Sequence, residues 1–168
     1  MKITLTHNAG AFLQRGCEYL LMHRAPDRKF APGMWSNVGG GMEHGEMDDP
    51  QATCLREIEE ETGITAGEIR NLQLRYIIMR RKGGCISHSY VYFGETDAAP
   101  TLTTPEGTLH WIPESRLLER PYTATFGAML RHYVTTPDPL RVVVGCAEND
   151  NGKCRMAWTA IEDFEAGL

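Results

Sequence analysis

The sequence predicts one domain of the α+β class, and three observations lead to that prediction. The chain has 168 residues and a hydrophobic content of 42%, which suits a single folded unit with a sizeable core. Apolar runs of strand length occur on both sides of one helical segment, residues 50–62. No internal repeat or low-complexity tract is present. We therefore expect residues 1–168 to form one domain in which a sheet packs with a few helices.

A β-hairpin is predicted near the N-terminus. The apolar run Cys17–Met22 has the pattern of a buried strand, and Gly10–Leu13 is its expected partner across a turn at Arg15 and Gly16. Residues 31–38 are then expected to be a loop that leads through a short strand into the glycines at 39–41. Because glycine permits close approach of the backbone, these glycines are candidates to contact a ligand.

A helix is predicted from Pro50 to Thr62. Asp49 can cap free backbone N–H groups, and proline is tolerated at the first helical position. Gly63 is the usual type of residue at a left-handed C-terminal position. The sequence therefore has a start signal at the N-terminal end of the helix and a stop signal at its C-terminal end.

Three glutamates share one face of this helix. At 3.6 residues per turn, Glu57, Glu60 and Glu61 fall within an arc of about 100°, with apolar residues opposite. Like charges at this spacing repel one another, whereas a hard divalent cation such as Mg²⁺ takes oxygen ligands of this kind. The alternative is an acidic helix face that is only solvated.

Three further pairs of elements are predicted after the helix. They are two strands at 72–79 and 88–94, two helices at about 115–119 and 123–135, and a closing hairpin at 140–147 and 154–161. The turn-rich segments between the paired strands and the helical spacing of apolar residues in the second helix support these assignments.

Composition and charge exclude several classes of function. The net charge of −5 disfavours broad binding to nucleic acid polymers or anionic membranes, which depends on basic surface. The sequence shows neither a signal peptide nor an apolar run long enough to span a bilayer, so we expect a cytoplasmic protein. Five cysteines without a CxxC pair favour reduced thiols.

The segment from residue 40 to residue 64 resembles the signature box of the Nudix hydrolases. Gly40, five intervening residues, Glu46 and then the run REIEEETGI at 56–64 carry the resemblance. Nine residues separate Glu46 from Arg56, where the family pattern has seven. Because Pro50 keeps its family spacing to Arg56, we place the two extra residues in the loop before the helix. We expect the longer loop to weaken the Glu46–Arg56 ion pair that braces this loop in the family.

The resemblance implies an α/β/α sandwich with a mixed central sheet, and residues from about 137 to 168 extend past the usual core. That extension could finish the sheet, wall the pocket or build a dimer edge. Glu57, Glu60 and Glu61 match the family's metal-binding and catalytic carboxylates, with the Gly39 carbonyl as an additional ligand. The implied cofactor is Mg²⁺, with Mn²⁺ as the other candidate, and a bound water would attack phosphorus.

Glu106 and Arg24 are candidates outside the box. Glu106 stands five residues before Trp111, a spacing at which many triphosphate-cleaving members use a glutamate for metal or water; the alternative is an ordinary loop acid. Arg24 resembles the arginine that many members place on the phosphates. Most other arginines and lysines are expected to be surface residues, and the histidines to be structural.

The substrate implied by the resemblance is a small nucleotide, as in the MutT-like enzymes that hydrolyse 8-oxo-dGTP to monophosphate and pyrophosphate. Asn37 could bind the edge of a base, and Trp35 or Tyr122 could stack on it; the alternative for both aromatics is core packing. Two other functions stay open: hydrolysis of a nucleotide sugar or dinucleotide, and noncatalytic nucleotide sensing. Monomer and homodimer are both open.

Overall fold

The computed structural model describes residues 2–136 and 141–162. Within these residues, nine strands form one sheet: β1 Thr4–Arg15, β2 Glu18–Arg24, β3 Trp35–Ser36, β4 Val38–Gly41, β5 Arg70–Lys82, β6 Cys85–Glu95, β7 Gly107–Pro113, β8 Val142–Asp150 and β9 Lys153–Ile161. The helices are α1 Pro50–Thr62 and α2 Ala124–Thr135, with 3-10 segments at Ala66–Glu68 and Glu114–Glu119.

The sheet is mixed, as predicted. Its main path runs β3-β2-β1-β6-β5-β8-β9, while β4 also pairs with β1 and β7 with β2. The β1–β6 and β5–β8 pairs are parallel, and the remaining pairs are antiparallel.

Strand β1 divides one of its edges between two partners. The other edge pairs with β6 along its length, so β2 and β4 share the remaining edge. Leu13 lies opposite Leu20 of β2, and Ala11 lies opposite Val38 of β4. Strand β2 therefore stops pairing with β1 at the point where β4 starts to pair with β1. This change of partner brings Arg24, at the end of β2, close to the glycines of β4.

A helix packs on each face of the sheet. Leu13 and Ile58 are fully buried in the cluster under α1, whereas Phe12 and Leu130 are fully buried in the cluster under α2. Successive residues of a strand point to opposite faces, which is why neighbours in β1 belong to different clusters. Burial of a side chain as large as Ile58 contributes about 1.5–3 kcal/mol. The expected α/β/α sandwich is thus confirmed.

Helix α1 has the predicted bounds and the predicted ends. An oxygen of Asp49 accepts a hydrogen bond from the Ala52 N–H at 3.0 Å, and Pro50 occupies the first turn. Gly63 takes a left-handed conformation with φ 77°, and its N–H donates to the Glu59 carbonyl at 2.8 Å. The two extra residues before the helix have not changed its register.

Other elements differ in extent from the prediction. The strands expected at 72–79 and 88–94 are longer, and the helix expected at about 115–119 is a 3-10 segment. Strand β7 was not predicted; it pairs with β2 from Arg24 to Glu18. This pairing matters for the site because it fixes the residues just before Gly107 beside the end of β2.

The C-terminal hairpin extends the sheet. Strands β8 and β9 join through Asn151 and Gly152, both with positive φ, and β8 pairs in parallel with β5. Of the three roles left open for the extension, completion of the sheet is the one seen. Parts of that prediction fall on residues 137–140 and 163–168, which lie outside the described residues.

Neither α-helix in the described part of the chain has the length and apolar composition needed to cross a bilayer. The five cysteines are unpaired in the structure, and only Cys54 is buried.

Candidate active site

One cavity brings together most of the residues predicted for the site. It has a volume of about 760 Å³, within the range typical of small-molecule sites. The predicted residues that line it are Arg24, Trp35, Asn37, Gly39, Glu57, Glu60, Glu61 and Glu106. They come from four separate segments of the chain, and the pairing of β4 with β1 and of β7 with β2 assembles them.

Two of the helix glutamates are shielded from solvent at the cavity: Glu61 is buried and Glu57 is half-buried. Glu61 is 7% exposed, and one of its oxygens accepts a hydrogen bond from the Gly39 N–H at 2.9 Å. The Glu57 side chain is 15% exposed and lies directly over Gly40, where a Cβ atom would come within 2.5 Å of its carboxylate. A side chain at position 40 would therefore displace the Glu57 carboxylate.

The burial of these carboxylates changes their ionisation. Burial raises the pKa of Glu61 to about 7, against the opposing effect of the Gly39 N–H, and the nearby charges of Glu57 and Glu106 add to the rise. Burial also raises the pKa of Glu57, while Arg56 opposes that change. Two adjacent carboxylates with raised pKa values are the environment that a bound cation would relieve.

Glu57, Glu60 and Glu106 each pair with an arginine, and the Glu60 and Glu106 side chains are more exposed than that of Glu57. The Glu60 side chain is 59% exposed and accepts a hydrogen bond from Arg56 Nη1 at 3.2 Å. Glu106 lies 2.5 Å from Arg28 Nη2 and 3.8 Å from Arg24 Nη2. Among the described residues, no three carboxylate, imidazole or thiol groups converge in the manner of a metal site. The three helix glutamates are therefore not equivalent: Glu61 is buried, Glu57 is half-buried and Glu60 is exposed.

The brace between Glu46 and Arg56 is intact. Arg56 donates from Nε and Nη2 to the two oxygens of Glu46, at 2.9 and 3.0 Å, and also to the Gly41 carbonyl at 3.1 Å. Glu46 also accepts from the Thr53 hydroxyl at 2.8 Å. The hydrogen bonds from Arg56 lower the pKa of Glu46 to about 2. The expected weakening of the brace is wrong, because the longer loop still returns Glu46 to the side of the helix.

The predicted base-binding residues do not all reach the cavity. Asn37 does, and its side chain lies against Gly10, where a Cβ atom would come within 2.7 Å of Nδ2. Trp35 lines the cavity and also packs against the core cluster under α2. Tyr122 is not among the lining residues; its hydroxyl donates to the Leu117 carbonyl at 2.8 Å, and its ring packs against that cluster. For Tyr122 the structure supports the core alternative.

The structure adds residues that the sequence did not single out. Arg28 and Arg80 line the cavity and are therefore exceptions to the expectation that most arginines and lysines are surface residues. The Phe30 ring lies between the guanidinium groups of Arg24 and Arg80, at 5.9 and 5.5 Å from its centroid. The strand residue Asn8 also lines the cavity. The position of Arg28 four residues after Arg24 was a usable signal, whereas Arg80 and Asn8 needed the strand register.

Comparison with known proteins agrees with this geometry. A NUDIX domain model matches residues 4–133. Nudix hydrolase 25 of Arabidopsis thaliana is 47% identical over 38 residues, which cover 23% of this chain and only 21% of that protein's length.

Solved structures share the fold at low sequence identity. A MutT protein from Bacillus halodurans is 22% identical, with a TM-score of 0.67 and coverage of 92% of this chain and 97% of that one. An Ap4A hydrolase from C. elegans is 18% identical, with a TM-score of 0.62 and coverage of 77% and 95%. Since the NUDIX domain model covers most of the chain, this protein belongs to the Nudix hydrolase family, whose members act on small nucleotide substrates and use divalent metal ions.

Proposed function

We propose that this protein is a magnesium-dependent pyrophosphohydrolase that cleaves a modified nucleoside triphosphate, of the 8-oxo-dGTP type, to a monophosphate and pyrophosphate. One observation carries the proposal: a single cavity holds the buried Glu61 and half-buried Glu57 carboxylates together with the cation Arg24 and the base-side residue Asn37. A nucleotide needs these three kinds of contact for its metal-bound phosphates, its free phosphate oxygens and its base.

The carboxylate end of the cavity fits a hard divalent cation. Glu57 and Glu61 provide oxygen ligands, and burial, with the charges of neighbouring carboxylates, raises the pKa of both groups. We propose that Glu57, Glu60, Glu61, Glu106 and the Gly39 carbonyl hold Mg²⁺, or Mn²⁺ in its place. Such an ion neutralises a diphosphate, orients it and lowers the pKa of a bound water.

The protein's own groups supply the remaining requirements for phosphoryl transfer, which depends chiefly on positioning and electrostatic stabilisation. Arg24 can donate charge-assisted hydrogen bonds to phosphate oxygens from the wall that carries Glu106. The brace through Arg56 connects α1 to the Gly41 carbonyl of β4. This connection keeps Glu57 over Gly40, so the carboxylate and the glycine backbone stay in a fixed relation.

The other end of the cavity suits a nucleobase. The Asn37 amide both donates and accepts hydrogen bonds in one plane, and Trp35 offers a ring at the cavity wall. The net charge of −5 agrees with a free nucleotide, rather than a nucleic acid polymer or a membrane, as the substrate. We infer that the protein works in the cytoplasm.

A product-resolved hydrolysis screen tests the proposal. Purified protein with Mg²⁺ would be incubated with oxidised and ordinary nucleoside triphosphates, nucleotide sugars and dinucleotides, with a chelator as the control. We expect pyrophosphate and a nucleoside monophosphate from a triphosphate. Two phosphate-bearing products from a nucleotide sugar or dinucleotide would replace this proposal with the alternative class. Tight nucleotide binding with no product would indicate a sensor.

A further inference from the structure

Arg28 lies in the loop between β2 and β3 and makes the closest charged contact in the cavity. Its Nη2 atom is 2.5 Å from Glu106 Oε1, and Arg24 Nη2 is 3.8 Å from the other oxygen of the same carboxylate. Glu106 therefore lies between two guanidinium groups. All three side chains line the cavity that contains Glu57 and Glu61.

The backbone fixes this arrangement. Strand β7 pairs with the end of β2, so that Arg24 lies opposite Gly107. The Ala25 N–H donates to the Glu106 carbonyl at 2.9 Å. The two segments are thus joined by main-chain hydrogen bonds that do not involve the Arg28 and Glu106 side chains. The side-chain ion pair can open while the backbone contact persists.

The ion pair competes with a phosphate-bearing substrate. While Glu106 holds Arg28, the guanidinium has a carboxylate in the place that a phosphate oxygen would take. The Arg28 and Glu106 side chains are both partly exposed, at 36% and 29%, and ion pairs of this kind are weak because water screens them. A polyphosphate carries several negative charges and accepts the paired N–H groups of an arginine well. It is therefore able to displace the carboxylate.

We propose that Arg28 is a phosphate-binding residue that pairs with Glu106 in the free protein and exchanges Glu106 for a substrate phosphate. The exchange releases the Glu106 carboxylate to the end of the cavity that holds Glu57 and Glu61. This inference rests on the proposed function, because it takes a polyphosphate as the ligand. It accounts for the place of Glu106, which lines the same cavity as those glutamates while its carboxylate is paired with arginines.

The exchange couples anion binding to metal binding. A polyphosphate on Arg28 frees one more carboxylate for the cation, and by linkage the cation then strengthens polyphosphate binding by the same factor. In the absence of metal, loss of Arg28 and loss of the Glu106 charge therefore change the affinity for the anion in opposite directions. Without Arg28 the anion loses a ligand, whereas without the Glu106 charge it loses a competitor.

The test measures binding of inorganic tripolyphosphate by calorimetry, without divalent metal and without turnover. We expect Arg28→Gln to weaken binding by about tenfold, as for a lost charge-assisted hydrogen bond. Glu106→Gln keeps the shape of the side chain and removes its charge, and we expect it to tighten binding by about threefold. Arg116→Gln, which breaks the exposed Arg116–Glu119 pair at 2.9 Å outside the cavity, is the control and should leave binding unchanged.

The opposite signs separate the proposal from a purely structural ion pair. If the Arg28–Glu106 contact only stabilised its loop, removal of either partner would weaken binding or leave it as it was. The proposal is overturned if Glu106→Gln fails to tighten binding or if Arg28→Gln fails to weaken it. Should Arg28→Gln fail to fold, Arg28→Lys is the substitute and must weaken binding in the same direction. Because no hydrolysis is measured, a failed hydrolase screen leaves this test interpretable.

Discussion

At the scale of single residues, the site depends on close packing of side chains against the backbone. Glu57 rests on Gly40, Glu61 accepts the Gly39 N–H, and Asn37 lies against Gly10. The close contacts explain Gly40 and Gly10, and at position 39 a Cβ atom would clash with the Ala9 carbonyl oxygen. The sequence alone shows only that the glycines are clustered.

Replacement of Gly40 by alanine should separate activity from stability. The new Cβ atom would lie 2.5 Å from the Glu57 carboxylate, which is the far end of a flexible side chain and can move away. We expect the melting temperature to change little, while turnover falls by about 100-fold because a displacement near 1 Å in a catalytic group has that order of effect. The measurements are thermal melting and steady-state turnover on the best substrate found.

Gly41→Ala is the matched control for this substitution. No atom lies within 4 Å of a Cβ at position 41, so activity should be retained. Equal losses of turnover in the two variants would show that turnover does not depend on the contact between Gly40 and Glu57.

At the scale of elements, local signals predicted α1 well and non-local pairings poorly. Asp49, Pro50 and Gly63 define the helix ends from the sequence because capping depends on residues close along the chain. Strand β7 escaped prediction because it is defined by its pairing with β2, about ninety residues away. Glu106 was predicted as a site residue from the family resemblance, which depends on its short spacing to Trp111. Its ion pair with Arg28 was not predicted, because the two residues are far apart in the sequence.

The Arg56 brace is the device that holds α1 to β4, and Arg56→Lys tests it. Lysine keeps the charge but loses the planar fork that contacts Glu46 through two nitrogens and also reaches the Gly41 carbonyl. We expect the free energy of unfolding, measured by urea denaturation, to fall by about 1.5–3 kcal/mol, as for lost hydrogen bonds between charged groups.

Arg116→Lys provides the comparison for the brace. Its pair with Glu119 is exposed on both sides, and such pairs contribute about 0–1 kcal/mol. If the two arginine variants lost the same amount, the brace would contribute no more than a surface ion pair.

At the scale of the whole molecule, the sheet gathers a site from segments that are far apart in sequence. The helix glutamates of the cavity come from α1, which packs on one face of the sheet. Three other lining residues come from two strands and from the helix on the opposite face: Asn8 of β1, Ile78 of β5 and Phe126 of α2. The carboxylate end could be predicted because its residues repeat at helical spacing. Of the rest of the cavity, Asn37 and Trp35 could be predicted, whereas the contributions of β1, β5 and α2 could not, because their side chains meet only through the register of the sheet.

The central claim is that the cavity-lining carboxylates of α1, of which Glu61 is the buried one, hold the metal that hydrolysis requires. The most direct measurement compares Mg²⁺-dependent turnover of Glu61→Gln with that of Glu59→Gln. Both variants remove one charge from the same turn of α1, but Glu61 is buried at the cavity and Glu59 is exposed and does not line it. We expect Glu61→Gln to lower turnover by about 100-fold or more, the order of effect of losing one electrostatic contact in an active site, and Glu59→Gln to behave like the unmodified protein. Undiminished turnover in Glu61→Gln, with its dependence on Mg²⁺ unchanged, would contradict the account.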